Sequence, residues 1–304
     1  MKIATTTGDF KAYCKNDIEK IRELHKAGFR YIDLDMYNFT PDCVYMNHGW
    51  QDAVKELKAE ADKLGMEFVQ AHSQGGNPLS DNKDEVDFII RATVRSIEIC
   101  SMLGIKNTVV HSGYKKGIFN QEWFEQNREF YKNFFPYMEE FGVNVLCENS
   151  TSCNLGDMYF TNSGADMLEF IRFVDHPQFH ACWDTGHANC EGSQYDDIMA
   201  LGEELYAIHY NDNLGLKDQH LIPYLGTMNH DEVINALIDV NFKGYFTLEC
   251  GSSLVAKNHW LGHRRDFKRD TRLAKPQLFM QQKLEELLYD VSKYILSSYG
   301  LFEE

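Results

Sequence analysis

His72, His111, Glu148, Asp184, His187, His209, Asp218, His220 and Glu249 are imidazoles and carboxylates at, or just beyond, the ends of short apolar runs. Asp33 and Asp35 close another such run, and Asp212 lies shortly after His209. Taken singly, a His or Glu in such a place is usually a hydrogen-bonded structural group. Taken together, independent structural roles would not all fall at the same end of successive runs. A ring of carboxylates and imidazoles facing one volume needs compensation, because buried like charges repel and desolvation is costly. A divalent cation supplies it, and Asp, Glu and His are ligands for Mn²⁺, Mg²⁺, Co²⁺ or Zn²⁺. A thiolate site is disfavoured. Cys147 and Cys250 neighbour the two glutamates, but strand alternation turns them the other way.

The elements that must position this ring repeat along the chain. Strand-like runs occur at 2–7, 31–36, 67–72, 107–112, 144–149, 179–184, 205–212 and 245–250, most of them rich in Val, Ile, Tyr and Phe. Amphipathic stretches lie between them at 17–28, 51–65, 84–104, 122–142 and 231–241; the first three end at Gly28, Gly65 and Gly104. Such alternation predicts βαβ units and a parallel sheet, and eight units predict an α/β fold of the closed (β/α)8 TIM barrel type with a C-terminal helical extension. An open doubly wound sheet is the alternative, weakened because no GxGxxG follows the first run. The barrel is expected to span 1–255 as the catalytic domain. Residues 256–304 are expected to form a basic segment and a final helix.

The remaining composition mainly excludes. The 304 residues carry 30 basic and 46 acidic side chains, a formal charge of −16 that repels nucleic acid and anionic membranes. The start of the chain does not read as a signal peptide, and no apolar run approaches the ~20 residues of a membrane span. Eight scattered cysteines without a CxxC pair read as reduced thiols of a cytoplasmic protein.

Several segments make the sequence resemble the xylose-isomerase-like barrel superfamily of sugar isomerases and epimerases, tagatose 3-epimerase-like enzymes among them, with endonuclease IV a more distant member. They are CWDTGHANC at 182–190, AIHYNDN at 207–213 with KDQHLIP at 217–223, and the glutamates of LCENS and TLECG. The resemblance implies one divalent metal ion, Mn²⁺ first among the candidates, held by Glu148, Asp184, His209 and Glu249. It gives Glu148 and Glu249 the catalytic acid/base role beside a metal-polarised carbonyl. His72, His111, His187, Asp218 and His220 are implied in substrate binding. The expected substrate is a small sugar, a ketose or keto-sugar. A lyase acting on a keto-inositol or a 3-keto-glycoside would use the same enolate chemistry. The nine residues also match the trinuclear zinc site of endonuclease IV, but the charge opposes DNA. A non-catalytic scaffold would have no reason to keep buried carboxylates. Tyr224 stands where the usual continuation of the Asp218–His220 loop has glycine, so this loop is expected to fold differently.

Other features carry less. Gly251–Ser253 reads as a turn or a phosphate cradle, and Gly75–Pro78 as a turn or a lid. Trp183 is expected to face the helices. The basic run 263–272 reads as a solvated surface or a subunit contact. The apolar stripe of the last helix, 276–299, is expected to pack on the barrel or on a partner, either a second copy or a small accessory subunit.

Overall fold

The structure, a computed structural model, describes residues 1–251, 253–254 and 276–304. The basic run 263–272 and Ser252 lie outside the described residues.

Strands and helices alternate as the sequence predicts. In chain order they are β1 (Ile3–Thr6), α1 (Asp17–Lys26), β2 (Tyr31–Asp35), α2 (Trp50–Leu64), β3 (Glu67–His72), α3 (Lys83–Leu103) and β4 (Asn107–Val109). There follow α4 (Asn120–Lys132), α5 (Phe135–Phe141), β5 (Asn144–Glu148), α6 (Ser152–Leu155), α7 (Gly164–Val174), β6 (Phe179–Asp184), α8 (Thr185–Glu191) and α9 (Tyr195–Leu201). The series ends with β7 (Leu205–His209), α10 (His230–Asp239), β8 (Phe246–Leu248) and α11 (Leu278–Ser298). The eight strands form one sheet in the order β7-β6-β5-β4-β3-β2-β1-β8. Every named pairing is parallel. The two end strands meet through a single bridge, where the Tyr210 N–H donates to the Thr247 carbonyl at 2.7 Å and the Glu249 N–H to the Tyr210 carbonyl at 3.2 Å. The result is a nearly closed (β/α)8 barrel, the architecture expected.

Local chemistry explains the boundaries. Asn16, Asn82 and Asn229 accept a hydrogen bond from the third residue on and so start α1, α3 and α10. Gly65 takes φ 65° after α2 and its N–H returns to the Ala61 and Asp62 carbonyls, the left-handed cap that a side chain resists. The stretch 122–142 is two helices, not the single one its periodicity suggests. Pro136 has no N–H to donate and is tolerated only in a first turn, so the chain breaks after Lys132 and restarts at Phe135.

The barrel interior is divided. Between β4 and β7 it is apolar, with Val109, Leu146, Cys182 and Ala207 packed together. Towards β1, β2, β3 and β8 it carries the buried polar residues Thr5, Asp33, Gln70 and Thr247. Helix α11 turns its inner face to α1 and β1, where Leu288 and Leu296 are buried and Tyr289 meets Phe29 edge-on at 5.2 Å. Phe279, Leu287 and Tyr294 face outward. Among the described residues no helix is long and apolar enough to cross a membrane.

Candidate active site

A cavity of about 420 Å³ opens at the C-terminal ends of the strands, the end at which barrels of this kind place their chemistry. Its lining includes His72, His111, Glu148, His187, Asp218, His220 and Glu249. Asp184 and His209 lie beneath it, fully buried. All nine residues singled out in the sequence therefore reach one volume.

The ligand atoms of Glu148, Asp184, His209 and Glu249 lie within 4.8 Å of one another. Strand register brings them there: Glu148 pairs with Cys182 across β5 and β6, and Asp184 with His209 across β6 and β7. Glu148 Oε1 lies 2.5 Å from His209 Nδ1, and its Oε2 lies 2.6 Å from His111 Nε2. Glu249 Oε2 is 3.4 Å from the same His209 nitrogen. Among the described residues no lysine or arginine pairs with these three carboxylates; their ion-pair partners are histidines.

The titration behaviour follows. Burial alone would raise Glu148, but His209, His111 and His72 beside it hold its carboxyl well below the usual range. Burial alone would lower His209, yet the carboxylates of Glu148 and Glu249 beside it hold it well above its ordinary value. Burial likewise opposes the charged form of His220, and Asp218 and Glu249 still push it up to about 9. Asp184, fully enclosed, is raised by burial against the pull of His187 and His220. Three carboxylates compensated only by imidazoles fit the donor set of a divalent cation.

The orientation of the imidazoles is also suited to that task. The Nδ1–H groups of His72, His187 and His220 each face a backbone carbonyl, of Ser73, Asn149 and Glu249, at 3.0, 2.8 and 2.9 Å. Such a bond fixes the ring and leaves Nε2 to face the cavity. His209 is turned over. Its Nδ1 faces the carboxylates, and Nε2 lies 3.4 Å from Asp33 Oδ2 inside the barrel. Asp33 is held in turn: Gln70 Nε2 donates to the same oxygen at 3.1 Å, and the Thr247 hydroxyl donates to Gln70 Oε1 at 3.3 Å. Asp33 is thus the third carboxylate beside this ring and the one behind it, where the sequence marks only an acid near a strand end.

Asparagines fix Asp184. Asn149 accepts the Asp184 backbone N–H and donates to its carbonyl, and Asn211 Nδ2 donates to Oδ2 at 2.8 Å. Asp184 Oδ1 accepts the His187 N–H at 2.7 Å, capping α8 and carrying His187 to the rim. Gly186 packs closely on Asn211, since a Cβ there would lie 1.9 Å from Asn211 Oδ1 and displace it. Asp218 also reaches the site, 3.4 Å from His187 Nε2 and 2.9 Å from His220 Nε2. The anticipated change in this loop does not separate them. Tyr224 itself adopts φ 72°, the left-handed conformation that a glycine would take, with its ring against His230.

Two further residues went unrecognised in the sequence. The Tyr37 ring meets His72 and His111 edge-on at 5.1 and 5.6 Å. Gly75 packs against that ring so closely that a Cβ would sit 2.1 Å from Cζ, which gives the glycine turn after His72 its reason. Cys182 has its sulfur near Glu148 and His209, contrary to the expectation that no thiol is suitably placed. Two residues before Asp184 on the same strand, it shares the inward face. Burial pushes its thiol up to about 12, so it stays neutral and belongs to the apolar layer under the site. Trp183 faces the helices as expected, donating to Gln194 Oε1 at 3.1 Å.

The sequence matches the family model of the xylose isomerase-like TIM barrel over residues 21–271. The chain belongs to the xylose isomerase-like TIM barrel family. One family relative, the uncharacterized protein y4fM of Sinorhizobium fredii, is 33% identical over 257 residues, 75% of this chain and 78% of its own. Among solved structures the barrel resembles D-psicose 3-epimerase in the presence of D-fructose, with a TM-score of 0.73, 17% identity and 97% and 99% of the two chains covered. It resembles the 3-keto-D-glucoside 4-epimerase YcjR of E. coli with a TM-score of 0.69, 17% identity and 95% and 99% coverage. The IolI protein with a bound zinc atom gives 0.74, 14% and full coverage of both chains. At these identities the likeness establishes the xylose isomerase-like fold, not the reaction.

Proposed function

We propose that this chain is a divalent-metal-dependent isomerase or epimerase of a ketose or keto-sugar. The observation that carries the reading is the convergence of Glu148, Asp184, His209 and Glu249 under a cavity of monosaccharide size. Those four residues would hold the cation, with Mn²⁺ foremost and Mg²⁺, Co²⁺ or Zn²⁺ as alternatives. When bound, it supplies Lewis acidity that polarises the substrate carbonyl and its neighbouring hydroxyl. Glu148 and Glu249 remove the proton from the carbon beside the carbonyl and return one to it. His72, His111, His187, Asp218 and His220 orient the sugar hydroxyls from the rim. Tyr37 and Tyr114 in the cavity wall offer rings to its C–H faces. Sugar epimerases among the structural neighbours support this reading.

The test is elemental analysis of the purified protein followed by incubation with a panel of ketoses in D₂O. We expect one ion per chain and deuterium at carbon, both reduced by Glu148→Gln and Glu249→Gln. Unchanged metal content and unchanged exchange in both variants refute the reading. Loss of water or of an aglycone, instead of a product of unchanged mass, moves the chain to the lyase class. A second reading has its own observation. His72, His111 and Glu148 gather ligand atoms within 4.8 Å, and so do Asp184, His187 and His220. Three zinc ions per chain with cleavage of abasic DNA would make it a phosphodiesterase. We place the enzyme in the cytoplasm, with no nucleic-acid or membrane partner. Either self-association through the outward face of α11 or a small accessory subunit is the partner proposed, read out by mass in solution.

A further inference from the structure

A second cavity, of about 640 Å³, lies beside the first, between the segment that follows β1 and the one that follows β2. The two share Lys11 and Asp35 as a common wall. Asp35 is fixed, since its Oδ1 accepts the Tyr37 N–H and its own N–H donates to Thr7 Oγ1, both at 2.9 Å. Lys11 is exposed and carries a flexible stem. Both cavities are thus bordered by one fixed carboxylate and one movable side chain.

The annex is built differently from the main site. Its floor includes Ile18, Phe39, Tyr45 and Leu57. The Phe39 and Tyr45 rings lie 5.4 Å apart at 32°, and the Tyr45 hydroxyl donates to Asp17 Oδ2 at 2.7 Å, which fixes the ring. Three lysines, Lys11, Lys15 and Lys20, line it, but so do Asp17, Asp35 and Glu56. Lys20 is already paired with Asp17 at 2.8 Å. Balanced charge makes this a poor anion site, and the helix start nearby is satisfied by Asn16 and Glu19. Aromatic rings beneath a polar rim suit a neutral cyclic group.

We infer that the substrate is a glycoside whose sugar ring carries the ketone, with that ring in the cavity above Glu148, Asp184, His209 and Glu249 and its cyclic aglycone in the annex beside Lys11 and Asp35; D-glucose and its glycosides are its unreactive hydroxyl analogues. The inference rests on the sugar reading above and narrows it. A free ketose would fill the first cavity and leave the second without a role.

The test compares binding of D-glucose and of its 4-nitrophenyl glycosides, both anomers, to the metal-supplemented protein by calorimetry. One aryl glucoside is expected to bind at least ~10-fold more tightly than glucose. Val44 lines the annex and is 53% exposed, so Val44→Trp fills it from the solvent side without touching the core. That variant is expected to bring the ratio close to one while glucose binding stays unchanged. Phe39→Ala should lower the ratio in the same direction. Equal binding of glucose and both glycosides by the wild type, or a Val44→Trp ratio identical to wild type, overturns the inference. So does a failure of all three to bind. If the glutamate variants leave deuterium exchange intact while the aryl preference persists, the catalytic reading falls and the annex stands.

Discussion

Asp33 offers the sharpest separation of charge from shape in this site. Replacing it with Asn keeps an oxygen to accept from Gln70 Nε2 at 3.1 Å and to lie 3.4 Å from His209 Nε2, and removes only the negative charge. Two unit charges 3.4 Å apart interact by about 5 kcal/mol at an effective dielectric near 20. A neutral imidazole bound to a cation through Nδ1 develops only part of a charge at its Nε2–H. About a third to a half of that energy is therefore at stake, or about 1.5–2.5 kcal/mol, which falls within the 10–100-fold typical of a carboxylate behind a histidine ligand. Asp33→Ala also removes the oxygen that lies beside Nε2 and accepts from Gln70, and should cost more than Asp33→Asn. The assay is competition for Mn²⁺ and Zn²⁺ against a chelator of known affinity, alongside thermal melting of the metal-free proteins. Affinity within twofold of wild type in both variants would refute the positioning role.

Three other outcomes are expected. Glu285 on α11 is fully enclosed; burial and then Asp9 push its carboxyl well above its ordinary value, and burial raises Asp9 to about 7. Acids raised by folding stabilise the protein while protonated, and that contribution is lost as pH rises through the folded value. Glu285→Gln should thus match wild type in melting temperature near pH 4, below the unfolded value, and exceed it by a margin that grows as pH rises above that; a constant difference from pH 4 to pH 8.5 would contradict the sign. Gly186→Ala should cost about 1–3 kcal/mol and weaken metal binding by pushing Asn211 off Asp184, measured by urea unfolding and metal competition. Trp123→Ala, which removes a fully buried ring whose Nε1–H donates to the Gly113 carbonyl at 2.8 Å, should cost about 3–5 kcal/mol in the same unfolding assay.

The legible part of this molecule is the part with a period. β3 and β6 match their apolar runs to the residue, and the nine imidazoles and carboxylates at the strand ends and in the segments after them gather at the C-terminal end of the barrel. Pairings across the barrel have no such signature. Nothing in the order of residues announces that Gln70 connects Thr247 to Asp33, because those contacts join β3, β8 and β2 through the interior. Periodicity also misled at 122–142, where the apolar spacing continues past Pro136 but the hydrogen bonds cannot. At Tyr224 the expected change in the loop does not take Asp218 and His220 out of the site, because the tyrosine itself adopts the left-handed conformation with its ring against His230.

The single bridge between β7 and β8 has a mechanical consequence. Seven junctions of the barrel are held by ladders, whereas this one relies on Tyr210 and its two backbone hydrogen bonds. His209 precedes that residue on one side, and Glu249 follows Leu248 on the other. Both belong to the four-residue ligand group. An ion gripped by the two would span the weakest joint of the hoop like a rivet. Amide exchange at Tyr210 and Glu249 should accordingly slow on metal addition far more than exchange along the β5–β6 ladder, and removal of the ion should loosen the staves there first.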